Sequence, residues 1–137
     1  MTVLTSVRMS AKLENLGTFI GSLSNCAKTQ GFGQEEISRM ELATEEALVN
    51  VFRYAYPEEP GDVEMTCKLE EERFSIEIID SGIPFDVAAM PDPKVAGAVH
   101  EREPGGLGIF FIKKAVDEVR YRRENDRNIL TLIIQKD

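Results

Sequence analysis

Hydrophobic and polar positions change their period several times along this chain, and those changes mark its elements. Val3 to Met9 alternate weakly, as an edge strand does. Ser10 then offers an N-cap for a helix from about Ala11 to Thr29, with Leu13, Leu16, Phe19 or Ile20, Leu23 and Ala27 as its buried stripe. Gly31 and Gly33 break that helix. A second helix is expected from Glu35 to Tyr56, carrying Ile37, Met40, Ala43, Ala47 and Val51 on one face and ending at the proline- and glycine-rich turn from Pro57 to Asp62.

The period then becomes two. Val63 to Leu69 and Phe74 to Ile79 read as strands joined by a hairpin over Glu70 to Arg73, and Asp80 falls where the second strand ends. Ser81 to Pro104 has poor periodicity and is expected to be a loop of binding or lid type. A third helix over roughly Leu107 to Val116 follows, then strands at Glu118 to Arg123 and Ile129 to Gln135 with a turn at Glu124 to Asn128. The sum is an α+β two-layer sandwich, about three helices on a mostly antiparallel sheet of about five strands, in one domain spanning residues 1–137.

Three segments carry candidate chemistry. In the second helix, Glu46 and Asn50 are four residues apart and so share a face, about 6 Å apart along the axis. A carboxylate and a carboxamide so placed suit a base beside a metal ligand. Glu45 points about 100° away and cannot share that face. In the second segment, Asp80 at a strand end with Gly82 after it can accept a hydrogen bond from an exocyclic amine. In the third, Gly105, Gly106 and Gly108 precede an apolar helix and leave its first amides open to an anion. Taken singly, these are also ordinary helix-surface, turn and hinge chemistry. The glycine spacing matches neither a P-loop nor a dinucleotide fingerprint, so a different nucleotide-binding fold is required.

Charge narrows the partners. The 16 basic and 24 acidic residues give a formal net charge of −8, which argues against nucleic acid. An anionic ligand must instead be held locally, by helix-end amides and a divalent cation. No run approaches the ~20 apolar residues of a membrane span, and the N-terminal residues lack a secretion-signal pattern, so the expected location is cytoplasmic with no membrane association. Cys26, Cys67 and the single His100 make a zinc or redox site unexpected.

The ordered segments Glu46 to Tyr56 (EALVNVFRYAY), Ile79 to Asp86 (IDSGIPFD) and Pro104 to Val119 (PGGLGIFFIKKAVDEV) resemble the N, G1 and G2 boxes of the GHKL ATPases, whose fold is the Bergerat sandwich. Within that superfamily the chain most resembles the bacterial anti-sigma-factor serine kinases. The resemblance implies ATP and Mg2+ as ligands, with Asn50 as magnesium ligand and Glu46 as general base. It also implies Asp80 with Gly82 as adenine reader, Gly105, Gly106, Leu107 and Gly108 around the triphosphate, and residues Val87 to Pro104 as a lid. That lid departs from the family pattern, having only Gly97 and being interrupted by Pro91 and Pro93. Arg53 is a candidate phosphate contact, with a surface ion pair as its other reading, and Arg102 and His100 in the lid are candidate γ-phosphate or partner contacts. The implied function is phosphorylation of a STAS-type antagonist protein and sequestration of a sigma factor, by a homodimer. A nucleotide-gated binding switch without kinase activity is the alternative. A detached histidine-kinase domain finds little support, because no two-helix phosphoacceptor segment is present and His100 lies in the loop.

Overall fold

The computed structural model describes residues 2–85 and 108–136. Along these the chain runs β1 (Thr2–Ser10), a 3₁₀ turn (Leu13–Asn15), α1 (Leu16–Thr29), α2 (Gln34–Tyr54), β2 (Asp62–Glu70), β3 (Arg73–Asp80), α3 (Gly108–Ala115), β4 (Glu118–Glu124) and β5 (Arg127–Gln135). The strands form one sheet in the order β1-β2-β3-β5-β4, every neighbouring pair antiparallel. The α+β sandwich expected from periodicity is the fold observed.

Alternation explains which face is covered. In β3, Phe74, Ile76, Ile78 and Asp80 are buried while Arg73, Ser75, Glu77 and Ile79 are only partly so. The register sets Val63, Met65 and Cys67 of β2 and Leu130, Leu132 and Ile134 of β5 beside the buried set. Phe19, Leu23 and Ala27 of α1, Ile37, Met40, Ala47, Leu48 and Val51 of α2, and Ile112 of α3 close the core from above. Each large aliphatic or aromatic side chain buried there contributes about 1.5–3 kcal/mol. The opposite face carries polar positions, including the Lys68–Glu77 ion pair at 3.2 Å.

Where boundaries depart from expectation, the reasons are local. Helix α1 begins at Leu16 rather than Ala11, because Asn15 Nδ2 donates to both Ser10 O (2.9 Å) and Ser10 Oγ (3.0 Å), so the serine oxygen does not cap the helix. Ala11 N instead donates to Gly61 O at 2.8 Å, which ties this junction to the turn before β2. Helix α2 is anchored by Gly33 N donating to Glu36 Oε1 at 3.1 Å, a contact that satisfies one of the amides left open at a helix start. Finally, the β4–β5 turn is only Asn125 and Asp126, at φ 52° and 62°, conformations that these short polar residues tolerate. Asn128, expected in that turn, is therefore a buried strand residue directly opposite Asp80.

Candidate functional site

Helix α2 presents Glu46, Asn50 and Arg53 at helical spacing. Asn50 is 1% exposed, and its Nδ2 donates to the Glu46 carbonyl at 2.9 Å. With one amide N–H so used, Asn50 keeps its second N–H and its Oδ1 for an outside partner, and among the described residues the oxygen accepts no hydrogen bond. Glu46 is half-buried. Desolvation raises its pKa above the ordinary 4.5, the Glu45 carboxylate adds to the rise, and Arg53 opposes it. Arg53 itself is exposed.

The other half of the site is the end of β3. Asp80 is 4% exposed, and its Oδ1 accepts from Gly82 N at 2.9 Å and from Asn128 Nδ2 at 2.8 Å. Burial raises the pKa of this carboxyl, while the Asn128 and Gly82 hydrogen bonds and the Arg123 charge pull it back. Asp80 Oδ2 takes no hydrogen bond among the described residues. A carboxylate with one oxygen committed and one open is suited to a single amine donor.

Helix and strand end are joined by specific contacts. Ile83 N donates to Ala55 O at 2.9 Å, just past the helix. Tyr56 Oη accepts from Ser81 N at 2.8 Å and donates to Asp62 O at 2.6 Å, so one hydroxyl joins the start of β2 to the end of β3. The Tyr54 and Phe85 rings lie 5.1 Å apart. A Cβ on Gly82 would sit 2.1 Å from Ala55 O, so only glycine permits this approach. A cleft of about 590 Å³ lies at this junction, lined in part by Tyr56, Glu59, Gly82, Pro84 and Arg123. A second cavity of about 330 Å³ is bordered by Arg8, Tyr56, Asp62, Asp80 and Arg127. Glu46 and Asn50 line neither of these. Helix α3, which begins at Gly108, packs on α2. Gly105, Gly106, Leu107, His100 and Arg102 lie outside the described residues, as does the expected lid.

Sequence reasoning missed the residue that organises this end of the sheet. Asn128 donates to Asp80 Oδ1 and to Ile83 O (2.7 Å), and its Oδ1 accepts from Tyr121 Oη (2.6 Å), Phe85 N (3.2 Å) and Arg123 Nη1 (3.2 Å). Arg123 also donates to Gly82 O at 2.7 Å. No motif marked Asn128, since its role follows from cross-strand register.

For a divalent cation the fit is of a particular kind. Among the described residues no three His, Cys, Asp or Glu side chains gather into a metal cluster. A neutral amide oxygen at Asn50 matches a Mg2+ that retains waters and phosphate oxygens as its other ligands.

An open antiparallel sheet with helices on one face, and an acidic strand end tied to the central helix, defines a sandwich of the histidine kinase-like ATPase class. The family model for the histidine kinase-like ATPase domain matches residues 9–134, and the chain belongs to that family. It is similar to the serine-protein kinase RsbW of Bacillus cereus (strain G9842), at 25% identity over 136 residues covering 96% of this chain and 85% of the relative. RsbW of Bacillus anthracis (strain A0248) matches to the same extent. Among solved structures, the RsbU and RsbW domains of Rv1364c from Mycobacterium tuberculosis share the fold with TM-score 0.64 and 15% identity, over 96% of this chain and 32% of that one. The Acinetobacter baumannii histidine kinase AdeS does so at TM-score 0.53 and 11% identity, over 98% of this chain and 68% of that one.

Proposed function

We propose that this protein is a Mg2+- and ATP-dependent protein serine kinase that phosphorylates a STAS-type antagonist and sequesters a sigma factor or similar regulator, acting as a cytoplasmic homodimer. The observation that carries the reading is the junction of α2 with β3. The helix that bears Glu46 and Asn50 ends at its C-cap, Ala55, whose carbonyl accepts from Ile83 N three residues past the buried strand-end carboxylate Asp80. Similarity to RsbW serine-protein kinases over nearly the whole chain supports the phosphotransfer chemistry. No described helix is long and apolar enough to cross a membrane.

In this reading Asp80 Oδ2 accepts the exocyclic amine of adenine, and the Gly82 backbone lets the base approach. Asn50 Oδ1 holds the Mg2+, which when bound balances charge on the phosphates. Glu46 accepts the proton of the attacking serine hydroxyl; its desolvated position makes it a stronger base than a solvated glutamate. Arg53, on the same helix face, contacts phosphate, and Gly105, Gly106, Leu107, Gly108 and Arg102 complete the phosphate side.

The test is transfer of radiolabelled phosphate from ATP to a STAS-type antagonist. Glu46→Ala should lower it by about 10²–10⁴-fold while nucleotide still binds. Undiminished transfer would remove Glu46 as the base. Calorimetry should show Mg2+-dependent ATP binding that Asn50→Ala abolishes. Nucleotide binding without transfer to any such antagonist would assign the protein instead to the switch class.

A further inference from the structure

Asn128 uses all of its hydrogen-bonding capacity within the protein, so it has none left for a ligand. Its two amide hydrogens go to Asp80 Oδ1 and Ile83 O, and its oxygen takes three donors, from Tyr121, Phe85 and Arg123. It is 3% exposed, and its partners come from β3, β4 and the segment after β3. A buried amide this committed is rigid, because any rotation orphans several groups at once.

We infer that Asn128 is a positioning residue for the base-reading carboxylate: it engages one oxygen of Asp80 with an obligate donor and thereby presents the other oxygen, ionised, to an exocyclic amine of the ligand. This rests on the proposed nucleotide site and assigns its control to the β4–β5 hairpin. An amide cannot give up its proton as a carboxyl can, so the donor at Asp80 Oδ1 is present at every working pH. Without it the neutral form of this buried carboxyl would gain ground, and a protonated Oδ2 would meet the amine donor to donor. Arg123 and Tyr121 of β4 act on the same carboxyl, the first through its charge and both through Asn128. Among the described residues, the other ionisable groups lining the cavity that Asp80 borders are Tyr56 just past α2, Asp62 and Glu64 from β2, Arg8 from β1 and Arg127 from β5. Arg8 is paired with Asp62 at 3.3 Å, which leaves that side of the carboxyl nearly balanced.

Asn128→Asp separates this role from simple packing. The new carboxyl keeps the shape and still accepts from Tyr121, Phe85 and Arg123, but it lies within hydrogen-bond distance of Asp80, and two carboxyls so close share a proton. With one shared proton the lock is restored; once that proton leaves, the two groups repel. ATP affinity should therefore weaken on acidification in the wild type and weaken on alkalinisation in the variant. The ratio of variant to wild-type Kd should rise about tenfold or more between about pH 5 and about pH 8, a ratio in which titration of the phosphates cancels. Parallel pH profiles, with the variant merely weaker, would overturn the proposal.

If the wild type binds no ATP, the nucleotide reading falls and the Asp80 carboxyl is followed directly by carbon NMR. Two coupled steps in Asn128→Asp against one in the wild type would support the lock, and identical titrations would sink it. Should Asn128→Asp not fold, Tyr121→Phe removes the hydroxyl that bonds the amide oxygen while keeping the ring. A loss of affinity of about threefold with a moved Asp80 titration is then expected, and no change in either would overturn the proposal.

Discussion

Gly82 lies so close to Ala55 that a Cβ at position 82 would stand 2.1 Å from the Ala55 carbonyl oxygen and 2.6 Å from its carbon. Both atoms are backbone, so neither can turn aside. Gly82→Ala should push the segment after β3 off the end of α2 and break the Ile83 N to Ala55 O bond. The expected cost is about 3 kcal/mol, roughly 10 °C in Tm, together with loss of ATP binding. A Tm within a degree or two of wild type would show that this junction yields more easily than its geometry implies.

Asp80 should trade stability for binding. Its folded pKa is raised above the ordinary 3.8, so folding favours the protonated form: that contribution is full below the unfolded value and is lost as pH rises through the folded one. The ionised carboxylate is therefore the form the fold disfavours, and its burden grows as pH rises. Asp80→Asn keeps an oxygen for Gly82 N and Asn128 Nδ2 and carries no charge. It should be at least as stable as wild type at neutral pH, with the advantage shrinking on acidification towards the unfolded value, while ATP affinity drops about 100-fold. Chemical unfolding at several pH values, paired with calorimetry, checks both halves.

On the proposed reading, Glu46 should set the acid limb of the rate. As a base it works only when ionised, and its pKa lies above 4.5, so phosphotransfer should fall off on acidification at a higher pH than a solvated glutamate would give. Removing the Arg53 charge with Arg53→Gln should move that limb to higher pH, and Glu45→Gln should move it lower. Because these residues border solvent, both shifts should be modest and should shrink in high salt. A limb that stays in place in both variants would mean that another group sets it.

Tyr56→Phe tests the hydroxyl that joins β2 to the end of β3. The ring remains against Gly61, where it already fills the space beside that glycine, but Ser81 N and Asp62 O lose their shared partner. Water reaches this exposed junction, so the cost should be about 1 kcal/mol, or some 4 °C in Tm. A smaller change in Tm with a larger change in ATP affinity would show that the hydroxyl orders the site more than it holds the fold.

Much of this architecture was legible because it depends on local pattern. The alternation in FSIEIID forces one face of β3 inward, and the apolar spacing from Ile37 to Val51 turns α2 so that Asn50 and Glu46 share an edge. Those two signals need no knowledge of what packs against them. The start of α1 was misread because Ser10, a good cap by type, has its oxygens engaged by Asn15. That preference is decided by side-chain geometry a few residues on, which residue type alone does not encode.

Asn128 marks the division most clearly. By itself the sequence determined that a carboxylate ends a buried strand at Asp80, that Gly82 follows it, and that Glu46 and Asn50 share a helix face, because each depends on periods of two or 3.6 residues. Only the tertiary structure decided that a two-residue turn at Asn125 and Asp126 sets β5 in register with β3, so that Asn128 meets Asp80 across 48 positions of sequence. Cross-strand register is a long-range quantity: it is set by turn geometry and by which apolar faces must be buried together, and a one-residue slip would carry Asn128 to the other face of the sheet.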